Sequence, residues 1–208
     1  MTARLVVLIS GSGSNLQAVL DACADGTIDG DVVGVISDRK NAYGLTRAER
    51  FGVPARWVSA RPFRDDAAAD RGRGRYDQHL AEVIEELRPD LVVLAGFMRI
   101  LSPGFVEQFM GRLINLHPAL PGEFPGTHAI ERALDAARSG EISRTGVMIH
   151  HVIAEVDAGP VIATREVPIH GDDDLEALTA RVHAVEHRLL VEAICTLITG
   201  GAASSTST

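Results

Sequence analysis

Five consecutive apolar residues, Leu5, Val6, Val7, Leu8 and Ile9, run through Ser10 into Gly11 and Gly13, and a helical pattern over 15–20 follows without a gap. An unbroken apolar run of this length suits a strand covered on both faces, as in the middle of a parallel sheet. Gly11 and Gly13 allow backbone angles that a side chain would forbid. A strand, a glycine turn and a helix start in direct succession aim backbone N–H groups, the positive end of the helix dipole and the Ser14 hydroxyl at one point, which suits a phosphate. An ordinary tight turn between strand and helix would use glycine as well. The dinucleotide fingerprint is excluded because its third glycine would fall where Leu16 stands, and a Walker loop because no lysine follows the second glycine. A monophosphate is the expected ligand.

Strand-like and helix-like segments alternate beyond this unit. Strands are expected over 31–37, 55–58, 91–96 and 113–117, and helices over 42–51 and 76–87. Repeated βα units predict an open, twisted, mostly parallel sheet with helices on both faces. After about residue 143 the pattern changes to two strands, 145–152 and 160–169, joined by the short loop IAEVDAG, which reads as an antiparallel excursion. A long helix over 173–199 follows, its start marked by Asp172, Asp173 and Asp174. The expected organisation is one domain over 1–199, with a Rossmann-like phosphate-binding half over 1–100 and a catalytic half over 101–199. The low-complexity tail GGAASSTST, 200–208, is expected to be disordered.

Composition narrows the classes. The 208 residues carry a net charge of −8 with no basic stripe, which disfavours nucleic acid as a partner. No apolar run approaches the roughly 20 residues that span a bilayer, and the few residues before the first strand are too short for a signal peptide. A cytoplasmic protein with no membrane partner is expected. Cys23 and Cys195 fall on apolar helix faces and read as buried small hydrophobes without a catalytic role.

Ligands of open α/β sheets bind beyond the carboxyl ends of the strands. Asn115 and His117, in LINLH, alternate with Ile114 and Leu116 and so point to the same face at a strand end. An amide donor beside an imidazole can stabilise a developing oxyanion and move a proton near neutral pH, although a lone strand-end histidine is often structural. Asp157, in VDAGP, sits where the chain can return to that end. There a carboxylate would fix the histidine tautomer and raise its pKa, although Asp-Ala-Gly-Pro is also simply a good turn.

ISGSGSNLQA, AGFMRILSP, INLHPALPGEFPGTHAIERAL and VDAGPVI together resemble the phosphoribosylglycinamide formyltransferases in their small single-function form, over nearly the whole chain and in the expected order. The resemblance implies a seven-stranded formyltransferase fold and transfer of the formyl group of 10-formyltetrahydrofolate to 5-phosphoribosylglycinamide, a step of purine synthesis. It implies that Asn115, His117 and Asp157 are the catalytic set and that Gly13, Ser14 and Asn15 hold the substrate phosphate. Glu186, otherwise a solvated helix carboxylate, is implied on the ribose side. Met98, Arg99, Ile100 and Leu101, with Asn115, are implied at the folate, largely through backbone; the same stretch reads equally as apolar strand-end packing. Arg73 matches a folate-contacting arginine by spacing, with Arg71 and Arg75 as competitors in a segment read as loop. The implied partners are these two small molecules, with no metal, in a monomer or homodimer.

One departure stands out. The group's usual His-Pro-Ser-Leu-Leu-Pro is replaced here by HPALPG, with Ala119, Pro121 and Gly122 at the changed positions, so the same loop path with altered flexibility is expected. Rival readings are a zinc peptidase, because HAVEH places His183 and His187 one helical turn apart, and a sugar-phosphate sensor without chemistry. Methionyl-tRNA formyltransferase and formyltetrahydrofolate hydrolase carry additional domains for which this length leaves no room.

Overall fold

The structure, a computed structural model, describes residues 2–63 and 69–204. The strands are β1 (Ala3–Ile9), β2 (Gly30–Ser37), β3 (Ala55–Trp57), β4 (Leu91–Leu94), β5 (Leu113–His117), β6 (Arg144–His151) and β7 (Val161–Pro168). The helices are α1 (Ser14–Ala24), α2 (Tyr43–Arg50), α3 (Ala69–Glu85), α4 (Pro103–Gln108), α5 (Ala129–Arg138) and α6 (Leu175–Ser204). The seven strands form one sheet in the order β3-β2-β1-β4-β5-β6-β7, with β3 and β7 at its edges. This is the expected open, mostly parallel α/β architecture. The chain separates into two compact units, Met1–Ile114 and Asn115–Thr208, a division that falls inside β5 and later than the one expected near residue 100.

In the first unit β1 pairs in parallel with β2 and with β4, and β2 with β3. Leu5 to Ile9 are all fully buried although successive side chains point to opposite faces, so both faces of β1 are covered. Gly13 caps α1 in the left-handed region, at φ 70. The turn is braced by the start of α2. The Gly44 N–H donates to the Gly11 carbonyl at 3.2 Å, and Arg47 donates to the Ser12 carbonyl at 2.9 Å and to Gln17 Oε1 at 2.9 Å. A Cβ on Gly13 would come within 2.7 Å of Gly44 Cα, so two glycine backbones meet where side chains have no room.

In the second unit β6 and β7 are antiparallel, as expected, with a register shift between Ile149 and His150. The shift pairs Ile149 with Ala163 but His150 with Val161, leaving Ile162 as the extra residue of a bulge. Helix α6 starts at Leu175, where the Ala177 N–H donates to Asp174 Oδ1 at 2.8 Å and caps the first turn. It continues through Ser204, past the expected end at 199, so the first residues of the expected disordered tail are helical; residues 205–208 lie outside the described ones. Helix α3 also departs from expectation. It begins at Ala69 and not near 76, so Arg73 and Arg75 lie in a helix that Gly72 and Gly74 had made read as loop. Among the described residues no helix is long and apolar enough to cross a membrane.

Gly159 explains part of VDAGP. A Cβ there would overlap the His151 carbonyl at the end of β6, so no side chain fits without parting the β6 and β7 ends. Gly159→Ala is therefore expected to cost about 2–3 kcal/mol of stability, the scale of overpacking a rigid site. Urea unfolding measures it, and an unchanged midpoint would mean that the loop relaxes freely.

Candidate active site

Asn115 and His117 leave β5 on one face, as alternation requires. The loop after β6 brings Asp157 to them with the aspartate in the left-handed region, φ 53, a conformation that aspartate tolerates better than most side chains. Its carboxylate gathers four partners. Oδ1 accepts from Asn115 Nδ2 at 3.2 Å and lies 3.6 Å from His150 Nε2. Oδ2 accepts from the Gly126 N–H at 2.8 Å and lies 3.3 Å from His117 Nδ1. Burial alone would raise the Asp157 pKa, but His150, the Gly126 N–H and His117 together hold it below the ordinary 3.8, so the group is ionised at neutral pH.

His117 is 4 % exposed, and both its ring nitrogens face oxygen: Nδ1 faces Asp157, and Nε2 lies 3.1 Å from the Phe124 carbonyl. Burial pushes its pKa below the ordinary 6.5, against Asp157 and the Phe124 carbonyl, which pull it up. The expectation of a raised pKa is thus corrected in its net direction: the carboxylate does favour the charged ring, and desolvation outweighs it. A neutral ring has one N–H for two acceptors. The other acceptor is then already in place for a second proton.

The Phe124 carbonyl is itself positioned. Arg132 of α5 donates to it and to the Pro125 carbonyl, each at 2.6 Å, in a loop where Gly122, Phe124, Gly126 and His128 all adopt positive φ. The altered stretch before it is anchored, with Ala119 fully buried and Leu120 packed where a Cβ on Gly146 would stand.

His150 was missed in the sequence. It is 2 % exposed on β6, and its Nδ1 donates to the His151 carbonyl at 2.9 Å, which leaves Nε2 to accept from Asn115 Nδ2 at 3.2 Å while the ring is neutral. The only sequence signal was a histidine pair closing a strand, the end where ligands of such sheets bind.

The other candidates are distributed as follows. Gly13, Ser14 and Asn15 form the turn and first residues of α1, with Asn15 buried. Met98 and Ile100 are each 61 % exposed, Leu101 is buried, and the Arg99 guanidinium lies 4.4 Å from the centre of the Tyr76 ring and 4.0 Å from Asp38. Arg73 lies in α3, where Arg75 sits 5.8 Å from the Phe63 ring centre; the Arg71 side chain falls outside the described residues. Glu186 on α6 is 3 % exposed and so is not a solvated carboxylate. The His183 and His187 rings stack at 6.4 Å, and among the described residues no three His, Cys, Asp or Glu side chains group as a metal site.

Comparison with known proteins gives the family. The phosphoribosylglycinamide formyltransferase of Schizosaccharomyces pombe is 52% identical over 204 residues, covering 96% of this chain and 99% of that protein. The enzyme of the same name from Dictyostelium discoideum is 44% identical, covering 96% of this chain and 100% of that protein. The crystal structure of glycinamide ribonucleotide transformylase 1 from Symbiobacterium toebii superposes with a TM-score of 0.87 at 41% identity, over 96% of this chain and 89% of that one. The formyl transferase model matches residues 3–194, and the chain belongs to that family.

Proposed function

We propose that this protein transfers the formyl group of 10-formyltetrahydrofolate to the amine of 5-phosphoribosylglycinamide, giving formylglycinamide ribonucleotide and tetrahydrofolate. The observation that carries the reading is the Asp157 carboxylate, shared by Asn115, His117 and His150 in a chain whose full-length relatives bear the name of that activity. The folate supplies the formyl carbon: a bond from the acceptor nitrogen to that carbon forms, its bond to N10 breaks, and one proton passes from the acceptor nitrogen to N10.

The residues divide the work. Asn115 and His117 stabilise the negative charge that develops on the formyl oxygen. His117, neutral at rest, takes up the proton of the attacking amine at Nε2, where the substrate displaces the Phe124 carbonyl, and returns it to the departing nitrogen, directly or through water. Asp157 holds the ring orientation and stabilises its charged form. Asn115 has two amide hydrogens; one stays on Asp157, and the one directed at His150 is the one available to the formyl oxygen. The turn at Gly13, Ser14 and Asn15 receives the phosphate and Glu186 the ribose hydroxyls. The exposed Met98 and Ile100 side chains suit the face of a planar ring, and residues 98–101 receive the pterin with Arg73 toward the rest of the folate. No step requires a metal ion. We place the protein in the cytoplasm, as a monomer or homodimer.

The reaction itself is the first test: purified protein with both substrates should release formylglycinamide ribonucleotide. Tetrahydrofolate formed at the same rate without the acceptor would instead indicate hydrolysis. Asp157→Asn keeps the volume and deletes the charge, so kcat should fall by roughly 10² to 10⁴ with little change in either KM. By NMR, His117 should titrate below 6.5 in the parent protein and lower still in the variant, since removing an attractive charge disfavours the imidazolium. Near-normal turnover would reduce Asp157 to a turn residue. Gly13→Val should weaken the ribonucleotide far more than the folate, because the added Cβ meets Gly44 and blocks close approach to the turn. Equal loss of both affinities, by separate titrations, would make the turn a folding element only.

A further inference from the structure

The segment between β4 and α4 lacks regular structure, yet side chains from two other elements fix its backbone. At one end the Met98 N–H donates to Ser10 Oγ at 2.8 Å, and that hydroxyl donates to Asp38 Oδ1 at 2.6 Å. At the other end the Ser102 N–H donates to Asp77 Oδ2 at 2.6 Å. Asp77 is 1 % exposed, and burial holds its carboxyl above the ordinary range despite that hydrogen bond and the nearby Arg99 and Arg73. Asp38 also faces Arg99, whose guanidinium stacks on the buried Tyr76 ring, and the Tyr76 hydroxyl donates to the Val58 carbonyl at 3.3 Å. A carboxylate buried against the backbone N–H and the side chain of Ser102 is costly as a mere stabiliser of a loop. It makes sense where the backbone shape itself must be kept.

We propose that Ser10, through Asp38, and Asp77 are positioning residues that clamp Met98 and Ser102, so that the backbone between them is preshaped for a folate ring. The clamp rests on the folate reading of residues 98–101. Preformed backbone edges bind a planar heterocycle without first losing loop entropy, so loosening either clamp should be felt in folate affinity and not in the chemical step.

The experiment measures tetrahydrofolate and glycinamide ribonucleotide binding by separate calorimetric titrations, with kcat and both KM values, for Ser10→Ala, Asp77→Ala, Asp77→Asn and Ile100→Glu. Ser10→Ala and Asp77→Ala should each raise the tetrahydrofolate Kd and the folate KM about tenfold, the scale of one buried hydrogen bond to a charged or structural partner, with kcat and ribonucleotide affinity kept. Asp77→Asn retains an acceptor for the Ser102 N–H and should restore most of the affinity; where an Asp77→Ala chain does not fold, Ser10→Ala decides. Ile100→Glu places a charge on the exposed face of the segment and reports on the folate reading alone. If it weakens tetrahydrofolate while Ser10→Ala and a folded Asp77→Ala do not, or while Ser10→Ala does not where Asp77→Ala fails to fold, the clamp is overturned and the folate reading stands. If none of the variants changes tetrahydrofolate binding, the folate reading falls and takes the clamp with it. If Ser10→Ala weakens the ribonucleotide as much as the folate, Ser10 serves the adjacent phosphate turn and the clamp is again overturned.

Discussion

The Asp157 carboxylate is where the candidate chemistry is assembled. It sits in a left-handed conformation, which for a residue other than glycine costs of the order of 1 kcal/mol, and it is largely withdrawn from water. Both penalties are offset by donors from separate segments: an amide from β5, a backbone N–H from the loop after β5, and the His117 imidazole. The arrangement is therefore mutual. Without Asp157 the two buried histidines and Asn115 would face one another with too few acceptors, and without them the charge would stand unpaired. The neighbouring glycine fits the same logic, because only a residue lacking a Cβ lets the loop lie against the His151 carbonyl that orients His150.

The first unit solves a different problem. In the proposed reading the N–H groups of this turn go to a phosphate, and its carbonyls carry the bracing, toward Gly44 and Arg47 of α2. The segment after β4 is held in the complementary way, by its N–H groups at both ends. Each of these loops is thus fixed through backbone groups that its proposed ligand does not use.

Much of this was legible in the sequence and some was not, for physical reasons. The strands were clear because β1, β2, β4 and β5 are buried on both faces and must read as apolar runs, and the antiparallel excursion was visible from the short loop between β6 and β7. Asn115, His117 and Asp157 were reachable through strand alternation and loop position, and converge as expected. Helix α3 was cut short because Gly72 and Gly74 are poor helix formers overridden by context, and α4 and α5 were not delineated, the first being barely more than a turn. His150 escaped notice because its significance lies in Asn115, on another strand, and in the turn that brings Asp157 back to it. Arg47, Arg132, Ser10 and Asp77 escaped for a related reason: each acts on a backbone group, and a hydrogen bond to backbone leaves no complementary residue to find. The His117 pKa went the other way from expectation because charge pairing is visible in a sequence and desolvation is not.

The edges of the sheet have a consequence of their own. Any open sheet ends in strands whose outer N–H and C=O groups could pair with another chain. Here β3 is only three residues long, and its Arg56 is paired with Glu86 at 2.8 Å. Along β7, Arg165 meets Glu192 at 2.9 Å and Glu166 meets Arg144 at 3.2 Å, and the strand ends in Pro168. A second chain docking on either edge would have to strip these ions of water and accommodate a residue that cannot donate. Surface pairs of this kind add little to folding stability. Their effect is on what the protein refuses to become, since they oppose edge-to-edge growth into aggregates at the two places where the architecture would otherwise invite it.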